Sequence, residues 1–452
     1  MPRFWIVRCD TYFPRKSRKS LRVLKIKNIF RSLAAVIPFA SIAVIAVIYG
    51  TIATWWNWFP APQIGLAHST MMDIANNWKN DIGLEPTRHL VKPIERSSDP
   101  DRGFSGELTG SAAEGYILVA GLSETQEESF HTVRLYDPEG KEVHRWPVHY
   151  DLLDTEREPQ NVMLHGMEVF EDGSLALTFD GGQAITRIDA CGQPLWTHND
   201  RFHHSINRDG EGRLVTLMDD DIYRLDEETG ETLDSVSIRK EMLEGDNEDQ
   251  MAMLKIRTRT PENADEKVTY LGDPFHPNDA EPLRADMADA FPMFEAGDVL
   301  LSMRELNMIT VVDPKTGRMK WWHYGPWFKQ HDPDFQPDGT ITVFDNATGS
   351  DASRIMSIRP GEDKVETLFT GSDELPFYTW RRGKHQILPD GNILLTEAEG
   401  GRIMEVSPAG DLLWERQFPW DDEQNVIITE ARYIPEDFFD DGVPQCATLA
   451  QN

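Results

Sequence analysis

Imidazoles recur at one kind of place in this chain. His165 precedes the word EDG, His203 and His204 precede GEG, His276 opens HPND ahead of EAG, and His331 and His385 each precede PDG. Arg304 follows the apolar run VLLSM. With an ordinary pKa of about 6.5, imidazole serves near neutral pH as nucleophile, proton carrier or metal ligand. A guanidinium presents a planar fork to oxyanions. One such residue is bland, since a repeated histidine is also a common strut between structural units, and His165 and His385 carry that reading as readily as a functional one. A zinc site is a further reading, but no HExxH or paired-carboxylate spacing supports it, and a metal ring has no need of Arg304. Neither a metal nor an organic cofactor is expected.

The elements that position these residues come from an internal repeat, whose period decides the architecture. A turn-and-strand word occurs six times: AEGYILVAGL, EDGSLALTFD, GEGRLVTLMD, EAGDVLLSMR, PDGTITVFDN and PDGNILLTEA. It alternates with a second word, as in VRLYDPEGKEVHRW, ITRIDACGQPLW and ITVVDPKTGRMKW. Each pair encodes three strands and tight turns, and a fourth strand fits ahead of it. The pattern predicts an all-β, six-bladed β-propeller over residues 109–420, with blades near 110–150, 160–200, 201–240, 290–325, 328–372 and 380–420. Residues 241–290 read as an acidic insertion, 57–108 as a stalk with a short helical region, and 421–452 as a closing strand and tail. The strand of the first word is expected to be innermost. Its histidines and Arg304 would then converge on one mouth of the central channel.

Charge divides the chain of 452 residues, whose formal net charge is −31. Residues 1–31 hold ten Lys/Arg and one acid, residues 32–56 hold no charge, and the acidic excess lies beyond. An uncharged apolar run of that length predicts a transmembrane anchor, with Trp55, Trp56, Trp58 and Phe59 as an interfacial belt. A buried core helix and a cleaved signal peptide are weaker readings: the run is long, its flank is basic, and no small-residue cleavage site stands out. The basic segment is expected to be cytoplasmic. The acidic bulk then lies across the membrane, in the periplasm of a Gram-negative cell, as a single-pass inner-membrane protein. That acidity argues against nucleic acid as a partner. Cys191 and Cys446 would share the oxidising compartment and have the opportunity to pair.

The stretches HPNDAEPL, GDVLLSMRELNMITVVDPKTGRMKWWHYGPWFKQHDPDFQPDGTITVFDN and RGKHQILPDGNILLTEAEGGRIMEVSPAGDLLWE resemble the bacterial arylsulfotransferase family, in particular its membrane-anchored branch. The resemblance spans about residues 115–420 and is most specific from His276 to Asn346. It implies a six-bladed propeller that moves a sulfuryl group from a phenolic sulfate ester to a phenol, without a nucleotide sulfate donor, through a transiently sulfated histidine. By the same resemblance His331 of QHDPDF is the nucleophile, His276 contacts substrate and Arg304 binds sulfate oxygens. The FHHSI block supplies another active-site histidine, His204, with His203 left open. Asn278 and His385 are further expected substrate contacts. DPKTGRMKWW also shares the tryptophan-bearing word of quinoprotein propellers, but no adjacent cysteine pair accompanies it. The competing class is a non-catalytic periplasmic scaffold or glycan-binding module, which has no reason to keep His276, Arg304 and His331 together.

Overall fold

In the computed structural model the described residues are 18–56, scattered positions between 58 and 91, 105–106, 115–124, 129–153, 159–181, 184–244, 256, 258–259, 269–270 and 273–446. They divide into two units, Met1–Pro86 and Thr87–Asn452. The expected stalk falls largely outside the described residues.

The first unit contains the helix Arg18–Trp55, of 38 residues. It starts well before the apolar run, inside the basic segment, because Arg, Lys and Leu are good helix formers and nothing between Arg18 and Ser32 interrupts them. Its stretch Ile37–Trp55 has a mean hydropathy of 2.0 over 19 residues. At the α-helical rise this is about 28 Å, close to the hydrocarbon thickness of a bilayer. Ile37, Phe39, Ile42, Val44, Ile45, Val47 and Ile48 are all exposed, so among the described residues no protein core covers this stretch.

The described residues of the second unit form a six-bladed β-propeller. Blade 1 runs Ile428–Pro435, Gly115–Leu122, His131–Tyr136 and Glu142–Val148 from the axis outward. The ring closes because its inner strand comes from the C-terminal end and pairs antiparallel with Gly115–Leu122. Blade 2 comprises Met163–Val169, Leu175–Asp180, Ile185–Ile188 and Pro194–His198. Blade 3 comprises Phe202–Arg208, Arg213–Met218, Asp221–Asp226 and Thr232–Ser237. Blade 4 comprises Pro277–Pro282, Val299–Met303, Met308–Val312 and Met319–Tyr324. Blade 5 comprises His331–Phe335, Ile341–Asp345, Arg354–Ile358 and Val365–Thr370. Blade 6 comprises Lys384–Ile387, Ile393–Glu397, Arg402–Val406 and Leu412–Gln417, to whose outer edge Ser105–Gly106 adds a fifth strand.

Two corrections follow. The strand of the repeated turn word is second from the axis, not innermost: the strands that approach their neighbours around the axis begin at Met163, Phe202, Pro277, His331, Lys384 and Ile428. The strand beginning at Pro277 lies within the stretch read as an insertion, because P-N-D-A-E-P has the composition of a loop.

The turn word itself has a local cause. In it an aspartate accepts backbone N–H groups two residues on: Asp172 from Ser174, Asp209 from Glu211, Asp338 from Thr340 and Asp390 from Asn392. Such Asx turns, with glycine supplying the left-handed residue (Gly339 at φ +82°), reverse the chain between inner and second strand. Apolar side chains then pack between blades. Leu118, Trp146, Val169, Leu177 and Phe179 form one such cluster, and Trp146 Nε1 donates across blades to the Gly173 carbonyl at 2.9 Å. Cys191 and Cys446 are not joined in a disulfide; Cys446 Sγ sits 3.2 Å from the Ala190 carbonyl.

Candidate functional site

Side chains alternate along a regular strand, and an inserted residue breaks that alternation and re-aims what it carries. Five of the six inner strands contain such a break. In blade 2 it falls between Leu164 and Gly166, in blade 3 between His203 and Ile206, and in blade 4 between Pro277 and Asp279. In blade 5 it falls between His331 and Asp334, and in blade 1 between Ile428 and Glu430. The inserted residues include His165, His204, Asn278 and Asp332. Left-handed backbone at His204, His276, Lys329, Asp332 and Arg382 clusters at the same places, where side-chain direction is bought with local strain. Blade 6 pairs regularly from Lys384 to Ile387, and its histidine behaves differently.

The bulged strands assemble an imidazole cluster. His204 is its centre, with ring centroids 4.6 Å from His165, 4.7 Å from His203 and 5.2 Å from His276. His203 Nδ1 lies 2.6 Å from His204 Nδ1, and His203 Nε2 lies 3.1 Å from the Asp219 carbonyl. A carbonyl only accepts, so His203 carries its proton on Nε2 and accepts from Nδ1–H of His204. The lone pair of His204 is then on Nε2. His276 Nδ1 is 2.6 Å from Asp273 Oδ2, a carboxylate partner that suits a proton carrier. Asp273 is held below the ordinary carboxylate range by that hydrogen bond. A cavity of about 490 Å³ is lined by Phe179, Phe202, His203, His204, Asp273 and His276, among others.

His331 opens the inner strand of blade 5 and is 5 % exposed. Its approach loop is pinned: the Phe328 N–H donates to Asp345 and the Lys329 N–H to Asn307 Oδ1. Gln330, fully buried, bonds Ser302 and the Met308 carbonyl of blade 4. His331 Nδ1 lies 2.6 Å from Asn346 Oδ1, and its Nε2 accepts from the Arg382 N–H at 3.3 Å. Burial, and then the nearby Arg304, His165 and His276, hold His331 well below the ordinary imidazole value, against the Asn346 bond that raises it. Burial brings His165 to about 3 and holds His204 well down. These rings are neutral at neutral pH.

Two guanidiniums stand beside them. Arg304 donates to Glu305, which also receives Lys329. Arg382 donates from Nη1 to Glu399 at 2.6 Å and from Nη2 to Asp180 at 3.4 Å. Four buried polar atoms here have no protein partner among the described residues: His165 Nδ1, Asn278 Oδ1, Arg304 Nε and Arg382 Nε. Asn278 Nδ2 meanwhile donates to the Gln330 carbonyl.

Of the sequence-predicted residues, His331, Arg304, His276, His204, His203 and Asn278 thus fall in one region. His385 does not join them. Its Nδ1 engages Asp332 at 2.9 Å and its Nε2 engages Thr342 at 2.8 Å, which makes it a strut between blades 5 and 6. It lines a second cavity of about 580 Å³ with Asp279, Glu281, Asp332, Asp334, Lys384 and Arg432. Asp332, Asp334 and His385 are the one trio of His/Cys/Asp/Glu donors among the described residues close enough to share a cation. With both ring nitrogens of His385 engaged and Asp332 paired to Lys384 at 2.7 Å, that trio is already a protein network. Arg382, Asn346 and Asp273 escaped the sequence reading: Arg382 and Asp273 act from loops outside the repeated words, and Asn346, the last residue of PDGTITVFDN, lies just past the end of its strand.

The propeller thus gathers imidazoles from its inner strands and guanidiniums from the adjoining loops in one region. The chain belongs to the arylsulfotransferase (ASST) family, whose model matches residues 132–419. Family and fold together support an arylsulfotransferase-like function. No curated protein sequence matches the chain. Among solved structures it is similar to a protein of unknown function from Bacteroides caccae, at 11% identity and TM-score 0.46, over 72% of this chain and 100% of that one. It is also similar to TolB from Acinetobacter baumannii, at 11% identity and TM-score 0.41, over 71% of this chain and 66% of that one. A catalytically inactive virginiamycin B lyase from Staphylococcus aureus matches at 12% identity and TM-score 0.34, over 57% and 71%.

Proposed function

We propose that the chain transfers a sulfuryl group between phenols, with His331 as nucleophile. The observation that carries this reading is the convergence of His331, Arg304, His276 and His204 beside four buried polar atoms with no protein partner. A binding scaffold gives no reason to leave such atoms unsatisfied, since each costs about 1–3 kcal/mol.

In the first half-reaction a lone pair of neutral His331 attacks the sulfur of an aryl sulfate. The nitrogen–sulfur bond forms, the sulfur–oxygen bond to the aryl group breaks, and the phenolate leaves with the electron pair. Arg304 and Arg382 face the sulfuryl oxygens as charge shifts onto them. His276, oriented by Asp273, gives the departing oxygen its proton. An acceptor phenol then enters, returns a proton to the same imidazole, and attacks sulfur. The nitrogen–sulfur bond breaks and neutral His331 is restored. One site used twice predicts ping-pong kinetics. The apolar helix anchors the chain with its basic flank in the cytoplasm and the propeller across the membrane.

The test is a chromogenic aryl sulfate with and without a phenol. Chromophore release that requires the phenol supports transfer. Release into water alone identifies a hydrolase instead. His331→Ala and Arg304→Ala each abolish turnover on this reading while the thermal transition is retained.

A further inference from the structure

We infer that Asn346 is the positioning residue that locks His331 with its proton on Nδ1, so that Nε2 alone bonds to sulfur. The inference rests on the reading of His331 as nucleophile. Asn346 follows the second strand of blade 5 and is fully buried. Its Nδ2 donates to two carbonyls of the loop entering blade 6, Thr379 at 2.8 Å and Arg382 at 2.6 Å. Both partners only accept, so the amide has one orientation and turns Oδ1 toward His331. Oδ1 also only accepts, and it lies 2.6 Å from His331 Nδ1. The Lys329 carbonyl, 3.2 Å from the same nitrogen, is a second acceptor. Nδ1 therefore carries hydrogen, and the lone pair is on Nε2, where the Arg382 N–H meets it at 3.3 Å.

The choice of an amide has a chemical consequence. A carboxylate in its place would favour the protonated ring, which has no lone pair to attack with. The amide orients the ring and leaves it neutral. When Nε2 bonds to sulfur the ring becomes cationic, and the Nδ1–H bond to Oδ1 becomes charge-assisted and stronger. The site thus gives its two working histidines different partners: an amide for the nucleophile, and the Asp273 carboxylate for the proton carrier His276.

The experiment uses full-length, detergent-solubilised protein and its Asn346→Leu and Asn346→Asp variants. Asn346→Leu is expected to lower kcat about 10- to 100-fold, the usual scale for loss of such an orienting partner, with the KM for aryl sulfate unchanged. Asn346→Asp is expected to move the acid limb of kcat/KM to higher pH. The groups facing His331 are the same in every variant: Arg304 and His276 of blade 4, Arg382 of the loop entering blade 6, His165 of blade 2 and His204 of blade 3. Wild-type kcat in Asn346→Leu, or an unmoved acid limb in Asn346→Asp, overturns the inference. If the leucine variant fails to fold, the near-isosteric aspartate decides alone. The histidine ¹⁵N spectrum, with His331 assigned by its loss in His331→Ala, reads the tautomer without turnover. Protonated Nδ1 in the wild type, lost in Asn346→Leu, supports the inference even if aryl sulfates are not substrates, and protonated Nε2 refutes it.

Discussion

At the residue scale the account turns on which imidazole has which neighbour. Among the described residues, Asp273 is the one carboxylate within hydrogen-bond distance of a clustered histidine ring, His276. Asp273→Asn should therefore slow transfer from donors whose phenol is a poor leaving group far more than from nitrophenyl sulfate, whose phenolate departs without help. The measurement is kcat/KM across phenols of graded acidity. An equal loss for every donor would remove His276 from proton transfer. Arg304→Lys should also be costly, because an ammonium replaces a two-pronged donor by a point charge. The expected sign is a raised KM for donor together with a lowered kcat.

At the element scale the bulges decide which residues reach the site and which hold blades together. Asp332, an inserted residue of blade 5, receives Lys384 Nζ at 2.7 Å and the backbone N–H of His385 at 2.6 Å, both from blade 6. Asp332→Ala leaves the Lys384 ammonium, 20 % exposed in its side chain, without its nearest carboxylate. Asp279 Oδ2 remains at 3.4 Å, so the cost falls below about 3–5 kcal/mol, the scale for an unpaired buried charge, and is readable as a lower melting temperature. An unchanged melting temperature would show that the interblade pair is not structural. The same strands mark the limit of what the chain alone discloses. The turn words were legible because in four of the six an aspartate and a glycine act on backbone groups within a few residues. His331 was legible because, like His165 and His204, it stands six residues ahead of its turn word, and Arg304 because it ends one; His276 stood out through the HPND block instead. The inner strands were not: HDPDF and PNDAEP carry proline and aspartate, and their bulges erase the period of two by which a strand is recognised. His385 also precedes a PDG turn, but four residues ahead of Pro389 where His331 stands six ahead of Pro337; its strand has no bulge, and its ring turns between blades instead.

At the scale of the whole molecule, burial of neutral histidines ties stability to pH. His131 of blade 1 is brought to about 4 and His165 to about 3, in both cases chiefly by burial. Between those values and the ordinary 6.5 the unfolded chain binds more protons than the folded one. Their contribution is therefore full above about pH 6.5 and is lost as the pH falls toward the folded values. Each such histidine contributes a slope of up to about 1.4 kcal/mol per pH unit. Melting temperatures taken from pH 7 to pH 5 should fall, and His131→Phe should flatten that fall. A His131→Phe profile as steep as the wild type would mean that this ring is not buried as described. The ring also depends on its last strand, since Ile428–Pro435 supplies the axis-facing strand of blade 1. Chains ending at residue 427 should show no cooperative melt.

The most direct test of the whole is to expose the protein to an aryl sulfate without acceptor, quench at alkaline pH, and map the peptides by mass. The account predicts one added sulfuryl group on His331, discharged when a phenol is supplied. Full phenol-dependent turnover with His331 unmodified, or with the label on another residue, would contradict it.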